Sequence, residues 1–284
     1  MSYLQSVLLG LLQGLSELFP VSSLGHSVIL PPLLHWQIDQ ASNAFLLFLV
    51  GTHFATAVVL FCFYLEDWKK MIAGFFRSLR EREIQNEDTY AKLIWLLIVG
   101  TIPAGILGLL FEDRLKTLLA KATFVAVALF LNGILLYGAE RLRRNKQDVA
   151  ATHVDQRLAA VTWAQMIQIG LWQCLALIPG FSRTGATMTG GLLVGLSHEE
   201  SARLSFLLAT PIIGAAALLK LPELLSASVY SSLGPILVGM ASAASAAYLT
   251  VRFLSSYFKT NNLTPFAIYC SLLGLGTLVL LSIR

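Results

Sequence analysis

Apolar residues in this chain run in long blocks rather than in the three-to-four-residue rhythm of a half-buried helix. Six blocks, roughly 43–65, 92–111, 122–140, 201–219, 233–251 and 264–282, each hold about the twenty residues a helix needs to cross a bilayer. Two further regions, 2–35 and 161–197, are apolar but interrupted. The first is broken at Pro20 and stopped at Pro31-Pro32; the second is broken at Pro179-Gly180. Each second arm is only about a dozen residues long, too short to cross comfortably, and reads as re-entrant. The backbone groups freed at such breaks must be buried in protein or face a water-filled cavity. The pattern predicts an all-α polytopic membrane protein, with six transmembrane helices and two re-entrant helical hairpins in a single integral membrane domain, 1–284.

The two broken regions resemble each other. Gly10, Gln13, Leu15 and Gly25 correspond to Gly170, Gln173, Leu175 and Gly185 at an offset of 160 residues. Pro20 corresponds to Pro179 after a one-residue shift, AFLL at Ala44–Leu47 to SFLL at Ser205–Leu208, and Pro103 to Pro265. The competing explanation is coincidence among Leu- and Gly-rich helices, but the matches come in order along the chain. Each half then reads as a hairpin plus three spans, 1–140 and 161–284. Three intervening spans invert the second unit, an architecture whose ligand site lies where the broken helices meet.

Composition agrees with this reading. Of 284 residues, 56% are hydrophobic and 13% charged, against about 25% charged in soluble domains, and mean hydropathy is +0.71. A very large soluble core is the alternative that the long apolar runs exclude. Cys62, Cys174 and Cys270 sit in apolar segments at unrelated spacings, neither a disulfide framework nor a zinc pattern. The start lacks a basic leader region and contains Gln13 and Glu17, so it is expected to belong to the mature protein. Basic residues orient the chain. Lys69, Lys70, Arg77, Arg80, Arg82 and Lys92, then Arg141, Arg143, Arg144, Lys146 and Arg157, then Arg252 and Lys259 fall on one face; Arg114, Lys116, Lys121, Lys220 and Arg284 fall on the other. The first face is expected to be cytoplasmic and both termini outside. The segments REREIQNED (Arg80–Asp88) and Arg141–Arg157 read as solvated loops, the latter suited to anionic headgroups.

The breaks carry the chemistry. If they meet, Glu17, Ser22, Ser23 and His26 face Ser182, Arg183, Thr184 and Thr187. Buried ionisable residues in a membrane are functional candidates by default. Arg183 offers a fork of donors suited to phosphate. Ser182, Thr184 and Thr187 add hydroxyls, and a helix starting near Gly185 would aim its N-terminus at an anion. Ser23 or Ser22 is suited to attack phosphorus, and His26 to move a proton. Glu17 is suited to orient the histidine, act as base, or hold a divalent cation with Gln13, one helical turn away. Plainer roles exist for each: serines that bond their own backbone, a packing histidine, an arginine that snorkels, a Gln13 that only packs. Glu17 has no acidic counterpart, since Leu177 occupies its place in the second repeat. His53 and Asn132, inside spans, line the cavity or bond between helices. His35, His153 and His198 fall near span ends and read as interfacial or loop residues. No Walker A loop and no HExxH occurs.

At these residues the chain resembles the undecaprenyl-diphosphate phosphatases of the bacitracin-resistance type. That family's (E/Q)xxxE and PVSSxGH motifs are matched by Gln13–Glu17 and by PVSSLGH at Pro20–His26; its PGxSRSGxT motif is matched by PGFSRTGAT at Pro179–Thr187. The resemblance implies a bacterial inner-membrane enzyme that hydrolyses undecaprenyl diphosphate to undecaprenyl phosphate, supports cell-wall synthesis and confers bacitracin resistance. It implies catalytic roles for Glu17, Ser23, His26 and Arg183, phosphate contacts from Arg183, Ser22, Ser182, Thr184, Gly185 and Thr187, and a Mg2+ or Ca2+ cofactor at Glu17 and Gln13. Whether Ser23, His26 or water is the nucleophile is left open. The implied partners are a long-chain prenyl diphosphate lipid and the membrane, with no nucleic acid; a homodimer is compatible. Two departures stand out: Leu24 where the family often has Thr, and Gln13, a weaker metal ligand than Glu. The rival class is a lipid-phosphate transporter using the same midplane cavity, which needs an anion site but no nucleophile. A channel is disfavoured, because no ring of equivalent charges is apparent.

Overall fold

The computed structural model describes residues 1–40, 42–85, 87–111, 122–143, 154–224 and 233–283. Arg114, Lys116, Lys121, Arg144, Lys146, His153 and Arg284 lie outside these described residues. The helices in chain order are α1 (Tyr3–Leu18), α2 (Ser23–Leu33), α3 (Asn43–Phe63), α4 (Leu65–Glu81), α5 (Thr89–Leu110), α6 (Ala122–Leu142), α7 (Val154–Ala159), α8 (Trp163–Gln173), α9 (Arg183–Val194), α10 (His198–Leu224), α11 (Leu233–Tyr257) and α12 (Thr264–Ile283). Six of them, α3, α5, α6, α10, α11 and α12, are long and apolar enough to cross a membrane. They overlay the six apolar blocks of the sequence, and the chain is an all-α polytopic membrane protein.

Each broken region is a helix, a break and a short second helix. α1 and α8 open on the same capping box 160 residues apart: Ser2 with Gln5, and Thr162 with Gln165. The second arms also open alike. Ser22 caps α2 by accepting the Gly25 N–H, and Ser182 caps α9 by accepting the Gly185 N–H. α2 and α9 are 11 and 12 residues long, about 17–18 Å at 1.5 Å per residue, well short of a ~30 Å hydrocarbon core.

Packing between the halves is reciprocal. α1 lies against α11, and α8 against α5; α3 packs on α11, and α10 on α5; α6 pairs with α12, and α3 with α10. The α1–α11 approach depends on small residues. A Cβ on Gly10 would stand 2.3 Å from the Gly239 carbonyl oxygen, and one on Gly14 2.1 Å from that of Ala243. Small residues let membrane helices come this close.

Local structure differs from the sequence reading in five places. The segment after the first span is not all loop: α4 carries Lys69, Lys70, Arg77 and Arg80, and buries Trp68, Met71 and Gly74 on its other side. Within REREIQNED, Asp88 caps α5 and pairs with Arg77. Pro31 and Pro32 sit in the last turn of α2, which ends one residue later. α9 begins at Arg183 rather than Gly185, because Ser182 supplies the cap. His198, expected at an interface or in a loop, is buried at the start of α10 with Nε2 2.8 Å from Glu140 Oε2.

Candidate active site

The two breaks meet. Asn132 of α6 bridges them, donating from Nδ2 to the Pro20 carbonyl (3.1 Å) and accepting the Ser182 N–H at Oδ1 (3.0 Å). Ser182 Oγ donates to the Phe19 carbonyl at 3.4 Å. These bonds satisfy backbone groups that the breaks expose in a buried place. The second break also packs closely on α6: a Cβ on Gly180 would lie 2.5 Å from the Val125 carbonyl oxygen, and Gly180 has a φ of +109°, which favours glycine. Ser22 also takes a positive φ, +66°, without being glycine. Local strain of this kind collects at ligand and catalytic sites.

Glu17, on the last turn of α1, is the hub. Its Oε2 accepts Ser23 Oγ–H at 2.5 Å and Gln13 Nε2–H at 3.1 Å, and lies 3.2 Å from His53 Nε2. Its Oε1 lies 3.3 Å from Arg183 Nη2. The Thr184 hydroxyl donates to the Glu17 carbonyl at 3.0 Å. Arg183 also donates from Nη1 to the Ser205 carbonyl at 3.0 Å, while its buried Nε has no partner among the described residues. Ser23 and Arg183 are the first residues of α2 and α9, so two helix N-termini converge on the same spot. Helix N-termini favour anions.

His26 stands apart from this hub. Its Nδ1 is 2.7 Å from the Ser22 carbonyl, which fixes that nitrogen as the N–H donor. Its Nε2 is 2.7 Å from the Tyr269 hydroxyl, and the two rings stack with centroids 5.6 Å apart. The imidazole against Glu17 is therefore that of His53, not of His26. Thr187 turns toward Gln173, 3.5 Å away, and the Gly185 N–H is already taken by Ser182 Oγ. The site thus joins Gln13, Glu17, Ser23, Arg183 and Thr184 directly, with Ser22 and Ser182 as caps at its edge. His53, Asn132 and Tyr269 complete it. His53 and Asn132 could be suspected as polar residues inside spans; Tyr269 offers no such signal, because aromatic residues are ordinary in membrane helices.

Comparisons with known proteins place the chain in a family. The family described as Bacitracin resistance protein BacA matches residues 6–276. The chain belongs to that family. It is 45% identical over 303 aligned positions to an undecaprenyl-diphosphatase of Mycolicibacterium paratuberculosis, covering 100% of this chain and 99% of the relative. It is 41% identical to undecaprenyl-diphosphatase 2 of Frankia alni, covering 96% of each, and 43% identical to undecaprenyl-diphosphatase 2 of Chromobacterium violaceum, covering 96% and 97%. The transporter alternative finds no support among these relatives, which are named as diphosphatases.

A divalent cation can be tested against the donors present. Among the described residues no three His, Cys, Asp or Glu side chains gather as a metal site. Glu17 supplies one carboxylate, Ser23 a hydroxyl, and Gln13 a buried Oε1 that has no hydrogen-bond partner among the described residues. That is a hard, all-oxygen partial set. It fits Mg2+ or Ca2+ when phosphate oxygens and water complete the shell, as is usual for Mg2+.

Proposed function

We propose that this BacA-family chain hydrolyses undecaprenyl diphosphate to undecaprenyl phosphate and inorganic phosphate at the junction of its two breaks. The activity regenerates the lipid carrier of cell-wall precursors and fits the family's link to bacitracin resistance. The observation that carries the site assignment is the 2.5 Å contact between Ser23 Oγ and Glu17 Oε2.

Ser23 Oγ attacks the terminal phosphorus and passes its proton to Glu17. An Oγ–P bond forms, the bridging P–O bond breaks, and undecaprenyl phosphate leaves. Water then attacks the phosphoserine, inorganic phosphate leaves, and Glu17 returns the proton to Ser23. Arg183 stabilises charge on the transferred group, using the free Nε–H and its fork of donors, with the α2 and α9 N-termini adding positive potential. Thr184, Ser22 and Ser182 hold the backbone around the phosphate. His26, with Nδ1–H held by the Ser22 carbonyl, presents Nε2 to the leaving or entering oxygen once the Tyr269 hydroxyl gives way. Mg2+ or Ca2+ held by Glu17 and Gln13 would supply further charge neutralisation on phosphate oxygens.

The same reading places the protein in a bacterial inner membrane, with α2 and α9 as re-entrant arms of two inverted repeats, 1–140 and 161–284. The reciprocal packing of the halves and the shared capping boxes support it. The bias of basic residues supports termini outside and a cavity opening outward. A homodimer is compatible with this arrangement.

The test is phosphate release from a long-chain prenyl diphosphate by purified protein in detergent, for wild type and Ser23→Ala, each with Mg2+, Ca2+ or chelator. Release by wild type and its loss in Ser23→Ala are expected. Substrate binding without release by folded wild type under every metal condition would overturn the assignment.

A further inference from the structure

A cavity of about 280 Å³ opens between the end of α3, the start of α10 and the end of α11, away from the catalytic junction. Neither Glu17, Ser23, His26 nor Arg183 lines it. Its wall includes Tyr64, Glu199, Arg203, Arg252, Ser256 and Lys259. Arg203 is neutralised: it pairs with Asp155 at 2.8 Å and Asp67 at 2.9 Å, and stacks over the Tyr64 ring at 5.2 Å.

Arg252 and Lys259 are different. Both are exposed, and among the described residues neither has an ion pair or a side-chain hydrogen bond. Arg252 and Ser256 stand one turn apart on α11, Lys259 follows two residues beyond its end, and all three line the cavity. The cavity thus holds two uncompensated cations and a hydroxyl against one acid, Glu199. Its floor is apolar, formed by the fully buried Phe206 and Phe258. Low-dielectric walls strengthen the field of the charges above them. The volume lies just below the usual ligand-pocket range of about 300–1,000 Å³, which suits a single headgroup rather than a whole lipid. The cavity also lies at the end of the helices where basic residues concentrate, and basic pockets between spanning helices at such an end hold anionic headgroups.

We propose that this cavity is a second, non-catalytic phosphate site, taking the phosphate of an anionic lipid headgroup or a free phosphate ion. Arg252, Lys259 and the Ser256 hydroxyl bind the anion, and Glu199 limits its affinity. The inference does not depend on the phosphatase reading.

The experiment is native mass spectrometry of the purified full-length protein in detergent, titrated with phosphatidylglycerol, phosphatidylcholine or inorganic phosphate. Wild type is expected to retain one phosphatidylglycerol more strongly than phosphatidylcholine. Arg252→Ala/Lys259→Ala should retain it roughly tenfold or more weakly, from about a fivefold contribution per basic residue, while still releasing phosphate from prenyl diphosphate. Glu199→Gln should bind more tightly, and this keeps the test valid if the double variant does not fold. Displacement of the lipid by millimolar inorganic phosphate would identify the free ion as a ligand; no displacement would identify the headgroup. Equal retention by wild type and the double variant, equal retention of both lipids by wild type, or unchanged binding in Glu199→Gln would overturn the site.

Discussion

Ser23 Oγ lies 2.5 Å from Glu17 Oε2, whereas His26, three residues further along the same helix, meets Tyr269 instead. The hydroxyl and the carboxylate form the chemical pair, and the motif histidine acts from a separate position. Glu17→Gln keeps the size of the side chain and removes the base. It is expected to lower kcat by roughly 10²–10⁴-fold, the usual contribution of a positioned acid or base. Phosphate-release kinetics on folded protein check this; a loss under tenfold would move the base elsewhere.

Arg183 donates to Glu17, Thr184 and the Ser205 carbonyl from one planar group. A lysine cannot reproduce that fork. Arg183→Lys is expected to lose about 10²–10³-fold in kcat, comparable to losing a preorganised donor at a developing charge. Near wild-type turnover would take Arg183 out of the mechanism.

Tyr269→Phe removes one hydroxyl and leaves the stack on His26. Because that hydroxyl must leave His26 Nε2 before the histidine can act, kcat/KM is expected to rise by up to about fivefold, the equivalent of one net hydrogen bond of about 1 kcal/mol. His26→Ala should instead lose activity. Equal losses in the two variants would mean that the tyrosine itself handles the proton.

Asn132→Leu strips the Ser182 N–H of its partner and leaves the Pro20 carbonyl only the weak Cys270 thiol donor, 3.8 Å away. Each unsatisfied group costs about 1–3 kcal/mol. The variant should show a lower Tm in detergent and weakened activity with intact Glu17 and Ser23. An unchanged Tm would mean that the two breaks hold together without the Asn132 bridge.

Gln13→Glu adds a second carboxylate beside Glu17. If a cation binds there, the Mg2+ or Ca2+ concentration for half-maximal activity should fall in the variant. A metal titration checks this. An unchanged midpoint would place the cation away from Gln13.

The apolar runs alone determined six spans and the two interrupted regions. An unbroken apolar run of about twenty residues satisfies its own backbone in hydrocarbon as a helix, so block length translates directly into structure. The 160-residue offset was read from Gly10, Gln13, Leu15 and Gly25 against Gly170, Gln173, Leu175 and Gly185; that Ser2 and Thr162, and Ser22 and Ser182, cap helices at the same offset came from the structure. Glu17, Ser23 and Arg183 stood out as costly polar residues in an oily chain. Which of them touch was not legible. Glu17 and Arg183 are 166 residues apart and meet because Asn132, Ser182 and Thr184 tie one break to the other. Linear spacing suggested His26 as the imidazole beside Ser23, yet the rotation of α2 turns it toward α12, and His53 of α3 takes the place against Glu17. α4 also escaped the apolar pattern, because a half-polar helix carries too few apolar residues to stand out among transmembrane blocks. Side-chain direction around a helix axis, and the choice of neighbour across the membrane, are set by packing, and only the tertiary structure decides them.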